Sequence, residues 1–410
     1  MSLFPLSKRV ADLEPSATFV MNGKVKKLEA EGKKVISFCI GEPDFRTPLH
    51  ICEAAKQAID EGMHGYTQTA GTPKLRQAIA RALSAKTGVP YGPEQVVASP
   101  GGKYSLYLSL MVLLNPGDEV LLPAPYWLSY PELVRLAGGV PVIVPTREED
   151  GFSVTPAALE QAVTPRTKLV ILNSPSNPTG QVIARGKMLE LGHFLERKNL
   201  WCISDELYDQ LIFGDSVHTS IASVSAYCRD HTIVVNGCSK TYAMTGWRLG
   251  YAGANEDIAK HIDNLQCQTC SNVSTVAQAA AIAALDGDQE CVEEMRRQFQ
   301  VRRTLIHQLL NSIPGMTCAM PQGTFYAFPN IDGLLGTTVA GKKIASPADL
   351  CDVAIDKAHV AMVGGEPFGS DRHVRLSFAT SEENIVEGCR RVKNLVEGKI
   401  SLRLVKDRDP

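Results

Sequence analysis

From Ile51 to Leu285 short β-branched runs alternate with helical periods, and no other feature of the 410-residue chain constrains its fold as much. Strands separated by helices cannot pair as hairpins, because a strand that returns through a helix comes back parallel to its predecessor. The expected fold class is therefore α/β, with a largely parallel sheet in a large domain. Seven runs read as its strands: Val96–Ala98, Glu119–Leu122, Val142–Val144, Leu169–Leu172, Trp201–Ser204, Thr232–Val235 and Leu249–Ala252. Ile51, Ala54, Ala55, Ala58 and Ile59 share a helical face, as do Leu75, Ala78, Ile79, Ala82 and Leu83 after the start signal Thr72-Pro73.

The rest of the chain differs in texture. A charged amphipathic helix is expected from about Gln289 to Leu310, then strand-like pieces at Thr324–Phe328, Val360–Val363 and Val374–Phe378. A last helix begins at Glu382 behind Thr380-Ser381-Glu382-Glu383, which reads as a capping box. These pieces predict a smaller α+β domain over 287–410, a large domain over 51–286, and an arm over 1–50 that contributes to the smaller domain.

Charge narrows the function. Lys and Arg number 42 against 44 Asp and Glu, a net charge of −2, with no basic run, so a nucleic-acid partner is not expected. The segment Met1 to Val10 lacks a signal-peptide apolar stretch, and no run approaches the roughly 18 apolar residues of a membrane span. A soluble cytoplasmic protein without a membrane partner is expected. The eleven cysteines lack the spacing of a disulfide scaffold and read as reduced thiols. Cys267-Gln268-Thr269-Cys270 is a lone CxxC without a second pair, read as a helical turn, and no metal site is expected. Gly336 to Lys343 resembles a phosphate loop but has Lys343 where a Ser or Thr is required, and reads as a surface loop.

In open α/β sheets ligands bind beyond the carboxyl ends of strands. The chemistry-bearing residues of this chain collect there. Strand 96–98 leads to Ser99-Pro100-Gly101-Gly102-Lys103, where two glycines at a helix start allow close approach of an anion. Strand 169–172 leads to Asn177-Pro178-Thr179-Gly180, strand 201–204 to Asp205 and Tyr208, and strand 232–235 to Ser239, Lys240 and Arg248. A lysine forming a Schiff base with pyridoxal phosphate needs a nearby acid to keep the pyridine nitrogen protonated, which suits Asp205. Asn177 and Tyr208 are the right types to hydrogen-bond the ring hydroxyl, and the Arg248 guanidinium can grip a phosphate through two parallel bonds.

Ser239-Lys240 followed by Gly246-Trp247-Arg248 resembles the lysine motif of the pyridoxal-phosphate-dependent class I aminotransferases of fold type I. The likeness extends through Pro15-Ser16-Ala17-Thr18, Gly41-Glu42-Pro43-Asp44-Phe45, Gly65-Tyr66, Pro125 to Pro131, Asn177 to Gly180 and Val374 to Ser377. It is closest to the bacterial aspartate aminotransferase subgroup. The resemblance implies that Lys240 carries pyridoxal 5'-phosphate and moves the substrate proton, assisted by Asp205 and Tyr208. It implies that Trp127 stacks on the ring and that Gly101, Gly102, Lys103, Ser239 and Arg248 surround the phosphate, with Tyr66 reaching across from a second subunit of a homodimer. For the substrate it implies Arg375 on the α-carboxylate, with Asn177, Trp127 and Gly41 beside it, and Lys103 and Thr18 toward a distal carboxylate.

The chain departs from the animal-type branch, with Gly237 three residues before the lysine and no cation in Cys270 to Ser274. Arg46 stands where the bacterial subgroup usually has an acid. The implied reaction is ping-pong transfer between amino acids and 2-oxo acids, aspartate with 2-oxoglutarate first. A prephenate or aromatic aminotransferase, a pyridoxal-phosphate β-lyase and a regulator using this fold are the rivals.

Overall fold

The computed structural model describes residues 7–11 and 13–399. The chain forms two compact units. One holds the described residues of 1–14 with 42–176 and 181–296, and the other holds 15–41, 177–180 and the described residues of 297–410. The second boundary falls inside the helix Glu290–Leu310.

The first unit is built on a seven-stranded sheet. Its order is Val96–Ser99, Gly250–Gly253, Thr232–Gly237, Trp201–Asp205, Thr167–Asn173, Glu119–Ala124 and Val140–Pro145. Every expected strand is present, and the sheet is parallel except at Gly250–Gly253, which runs against both neighbours. The cause is the connection 238–249, which has only a 3₁₀ turn at Thr245–Trp247 and no crossover helix to carry the chain back to a parallel start.

In the inner strands successive residues enter different cores, as a two-sided sheet requires. Val235, Ile203 and Leu122 pack with Leu106 and Leu110 of the helix Gly102–Leu113. Val234, beside Val235, and Ala98 pack instead with Ile79 and Leu83 of the helix Pro73–Thr87. That helix begins as its sequence implies, with Pro73 in its first turn and the Thr72 hydroxyl accepting from the Leu75 N–H. In the helix Leu49–Asp60, Ile51, Ala55 and Ala58 are buried but Ile59 is 52 % exposed. It lies about 100° round the helix from Ala58, beyond the covered face.

The second unit contains the antiparallel strands Val363–Gly364, Val374–Ser377 and Tyr326–Ala327, and a parallel pair, Ile36–Ser37 with Val360–Ala361. The segment expected as an arm contributes the helix Ala17–Ala30 and the first strand of that pair. Gly336 to Lys343 is not a plain loop. Thr338–Val339 and Lys342–Lys343 form a hairpin whose two turn residues, Ala340 and Gly341, both have positive φ. Ser381 caps the helix Glu382–Val396, but the third helical residue is Asn384, so the carboxylate half of the expected capping box is absent. All eleven cysteines are free thiols. Cys267 closes the helix Glu256–Cys267, and both it and Cys270 are exposed. Among the described residues no helix is long and apolar enough to cross a membrane.

The helix Glu382–Val396 lies so close to Phe38 that a methyl group on Gly388 would overlap the ring, with Ile36 Cγ2 3.1 Å away on the same side. Gly388→Ala is therefore expected to destabilise this unit by about 1–3 kcal/mol, seen as faster amide hydrogen exchange along 382–396. Unchanged exchange would show that the ring yields without cost.

Candidate active site

Asp205 ends the strand Trp201–Asp205 opposite Asn173, the end of the next strand, and opposite Val235, two residues before the end of the strand on its other side. Its side chain is buried, and removal from water pushes its pKa up to about 6. The Tyr130 hydroxyl, donating to Oδ2 at 2.7 Å, and the Leu207 N–H, donating to Oδ1 at 3.2 Å, oppose that rise. The Glu206 charge raises it further, and the Lys240 ammonium lowers it. Tyr208 is buried and stands in the electrostatic field of Tyr130. Tyr130 lies in the segment Pro125 to Pro131, where no motif marks it as a partner of Asp205. It starts the helix Tyr130–Leu136, and only its spacing of three from Trp127 hints at a shared direction.

Next to this carboxylate the backbone forms a close cradle. A Cβ on Gly250 would overlap the backbone of Gly101 and Gly102, one on Gly237 would lie 2.9 Å from Gly250 Cα, and one on Gly102 would lie 2.8 Å from Leu207 Cδ1. Missing side chains therefore bring the start of the helix Gly102–Leu113 onto the strand ends, with its free N–H groups and positive dipole end. Gly101 has φ +90°, and a Cβ there would overlap the Arg248 guanidinium. Arg248 donates from Nη1 to the Thr245 carbonyl at 2.9 Å and from Nη2 to the Pro100 carbonyl at 3.4 Å. Its own backbone is left-handed, φ 55°, which aims the chain back into Gly250–Gly253. Ser239 is buried in the turn before Lys240, its carbonyl accepting from the Met244 N–H.

Lys103 Nζ lies 4.9 Å from the centroid of Trp127, whose ring meets Tyr130 edge-on at 5.4 Å. Partial desolvation and the Arg248 charge both pull the Lys103 pKa down. Tyr66 is 93 % exposed in its own chain.

The second unit has its own group. Arg375, in the strand Val374–Ser377, is 2 % exposed, with its guanidinium carbon 4.5 Å from the ring centroid of Tyr326 and 4.8 Å from that of Phe368. Nη1 donates to Asn177 Oδ1 at 3.1 Å, and Nη2 donates to the Cys39 carbonyl at 2.7 Å and Thr18 Oγ1 at 3.4 Å. A Cβ on Gly41 would overlap the Tyr326 hydroxyl, so the glycine makes room for that ring. The structure thus brings Thr18, Gly41, Asn177 and Arg375 into one group. Tyr326 and Phe368, which no short motif marks, hold its guanidinium in place.

The sequence profile of the aminotransferase class I and II family matches residues 33–392. The chain belongs to that family. It is 44 % identical to the aspartate aminotransferase of Geobacillus stearothermophilus over 394 residues, covering 96 % of this chain and 99 % of the relative. It is 43 % identical to the aspartate/prephenate aminotransferase of Cereibacter sphaeroides over 395 residues, covering 96 % and 99 %. The crystal structure of the aspartate aminotransferase from Rhizobium meliloti superposes with a TM-score of 0.93 at 37 % identity, covering 96 % and 99 % of the two chains. The chain is a fold type I, pyridoxal-phosphate-dependent aminotransferase of the aspartate aminotransferase subgroup.

The first unit's residues fit that cofactor. Asp205 is a buried carboxylate whose pKa burial raises although the Lys240 ammonium opposes the rise, so a further cation would stabilise it, and the glycine cradle with Arg248 offers donors of phosphate type. As pH falls through about 6 the cofactor-free enzyme protonates Asp205, so cofactor affinity is expected to fall in the same window. Tyr130→Phe removes a bond that favours the carboxylate and should move that loss to higher pH, read by fluorescence titration with pyridoxal phosphate. An identical pH profile would leave Tyr130 without influence on Asp205.

Proposed function

We propose that this aminotransferase moves the amino group of aspartate to 2-oxoglutarate by a ping-pong cycle, releasing oxaloacetate and glutamate, with one pyridoxal phosphate per chain. The observation that carries the reading is the buried Asp205 carboxylate in the field of the Lys240 ammonium. When bound, pyridoxal phosphate supplies an electron sink that makes the substrate's α-proton acidic.

The chain's own residues divide the remaining work. Asp205 would hold a proton on the cofactor's ring nitrogen, and Asn177 and Tyr208 would stabilise the ring hydroxyl's anion. Gly101, Gly102, Ser239 and Arg248 would bind the phosphate through N–H, hydroxyl and guanidinium donors. Trp127 would cover a ring face. Lys240 would hold the cofactor and take and return the α-proton at Nζ, a task favoured by a lysine pKa near working pH. Arg375 would grip the α-carboxylate, its planar fork already held by Tyr326, Phe368, Asn177 and Cys39 before substrate arrives. Lys103, with its pKa lowered and Arg248 beside it, is a cation in want of an anion, which suits a dicarboxylic substrate. We also propose a homodimer in which the exposed Tyr66 completes the phosphate site of the other subunit.

Prephenate is a second amino acceptor to weigh, because Lys103 can meet a distal carboxylate on either molecule. Lys240→Ala is expected to lower kcat by about a hundredfold or more, and a rate within about tenfold of the parent would remove Lys240 from the chemistry. In a steady-state panel of donors against 2-oxoglutarate, aspartate should give the highest kcat/KM. A phenylalanine value far above that of aspartate would overturn the substrate assignment while leaving the transaminase reading intact.

A further inference from the structure

Two glutamines of the first unit, Gln266 and Gln278, have 0 % exposure. Burying an uncharged amide is unfavourable unless its donors and acceptor are matched, and here they are matched. Gln266 Nε2 donates to the Thr69 carbonyl at 3.0 Å and the Ala98 carbonyl at 2.8 Å, while its Oε1 accepts from Ser99 Oγ at 2.6 Å. Gln278 Nε2 donates to Thr67 Oγ1 at 2.9 Å and the Val273 carbonyl at 2.8 Å, while its Oε1 accepts from the Thr72 N–H at 2.9 Å. The Ala98 N–H donates to the Ala70 carbonyl at 3.0 Å, and the Thr275 hydroxyl to the Met63 carbonyl.

These bonds converge on one irregular segment, residues 63–72, fastening it at Met63, Thr67, Thr69, Ala70 and Thr72. Between those points stands Tyr66, 93 % exposed. A loop carrying so exposed an aromatic ring has no packing of its own to fix that ring, so its direction depends on the fastened backbone. The other ends of the Gln266 bonds, Ala98 and Ser99, belong to the strand Val96–Ser99, which leads directly into Gly101 and Gly102.

We infer that Gln266 and Gln278 are positioning residues that lock the Tyr66 loop to the chain's own phosphate cradle, so that one rigid frame serves two active sites. The inference rests on the proposed sharing of Tyr66 between subunits. Gln266 spans the two elements, joining Thr69 on one side to Ala98 and Ser99 on the other. Gln278 fixes the loop at Thr67, the residue after Tyr66, and again at Thr72. The ring is thereby presented with its ordering entropy already spent, which strengthens any bond it makes to an anion on a second copy.

The test uses Thr67, where a small change removes one fastening without opening the core. Thr67→Val deletes the hydroxyl that accepts from Gln278, and Thr67→Ser keeps it. Dissociation constants for pyridoxal phosphate are measured by fluorescence titration of the full-length chain stripped of cofactor, with sedimentation reporting the dimer at the same concentration. Tyr66→Phe should weaken binding about tenfold, as expected for one hydrogen bond to a charged group. Thr67→Val should weaken it about threefold, Thr67→Ser should match the parent, and Thr67→Val added to Tyr66→Phe should cost nothing more.

A Thr67→Val loss that persists undiminished in the Tyr66→Phe background overturns the inference while the shared site stands. So does the absence of any loss when Tyr66→Phe alone weakens binding, and so does a loss that follows dissociation of the dimer. If Tyr66→Phe leaves the affinity unchanged, the shared site itself falls and the inference falls with it.

Discussion

A carboxylate removed from water is costly, and Asp205 is placed where that cost is only partly met. Its two oxygens have one hydroxyl donor and one backbone donor, and its pKa still rises to about 6. The parallel register creates this position, since strands 167–173, 201–205 and 232–237 end side by side and leave backbone and side chains facing outward from the sheet. The Lys240 ammonium offsets part of the cost, and a cationic ring nitrogen beside Asp205 would offset more by forming an ion pair in a low-dielectric setting. The strand order and the lysine both bear on that buried charge.

The same unit also carries cations of the site. Lys103, Lys240 and Arg248 contribute positive charge in a chain whose net charge is −2, and Arg248 lowers the Lys103 pKa. Like charges are held in one region at a free-energy cost that anions offset when they bind. The contacts among Gly101, Gly102, Gly237 and Gly250 add the N–H groups of a helix start to the same region. A net charge near zero thus conceals a local site for small acids.

The parts legible in the sequence were those with a local cause. Strand runs, the Thr72-Pro73 helix start and the groups at the strand ends follow from periodicity and turn chemistry over a few neighbouring residues. Tyr130 on Asp205 joins residues 75 apart in sequence, Arg375 on Asn177 residues 198 apart, and Arg375 on the Cys39 carbonyl residues 336 apart. Such partners are chosen by the tertiary fold, and neither Tyr326 nor Phe368 carries a mark distinguishing it from an ordinary core aromatic. Gln266 and Gln278 were hidden for a related reason, since a polar residue on a helix reads as solvated until the fold covers it. The hairpin at 338–343 was missed because its strands are two residues long, and its turn depends on Ala340 adopting a positive φ that alanine seldom takes.

Arg375 and Lys103, the two cations proposed to meet carboxylates, differ in how firmly they are held, and under that proposal the difference bears on substrate choice. Arg375 lies over two rings and is tied to main chain and side chain, so its geometry exists before substrate binds and little is lost in ordering it. Every amino acid presents the same α-carboxylate, and a rigid clamp suits an invariant group. Lys103 ends in a compact ammonium on a flexible stem over the Trp127 face, with no carboxylate partner among the described salt bridges. Such a cation can follow distal carboxylates at different distances, at the expense of discriminating sharply among them. Selectivity between a short dicarboxylate and a bulkier one would then arise from the shape around Lys103, because the charge itself attracts both.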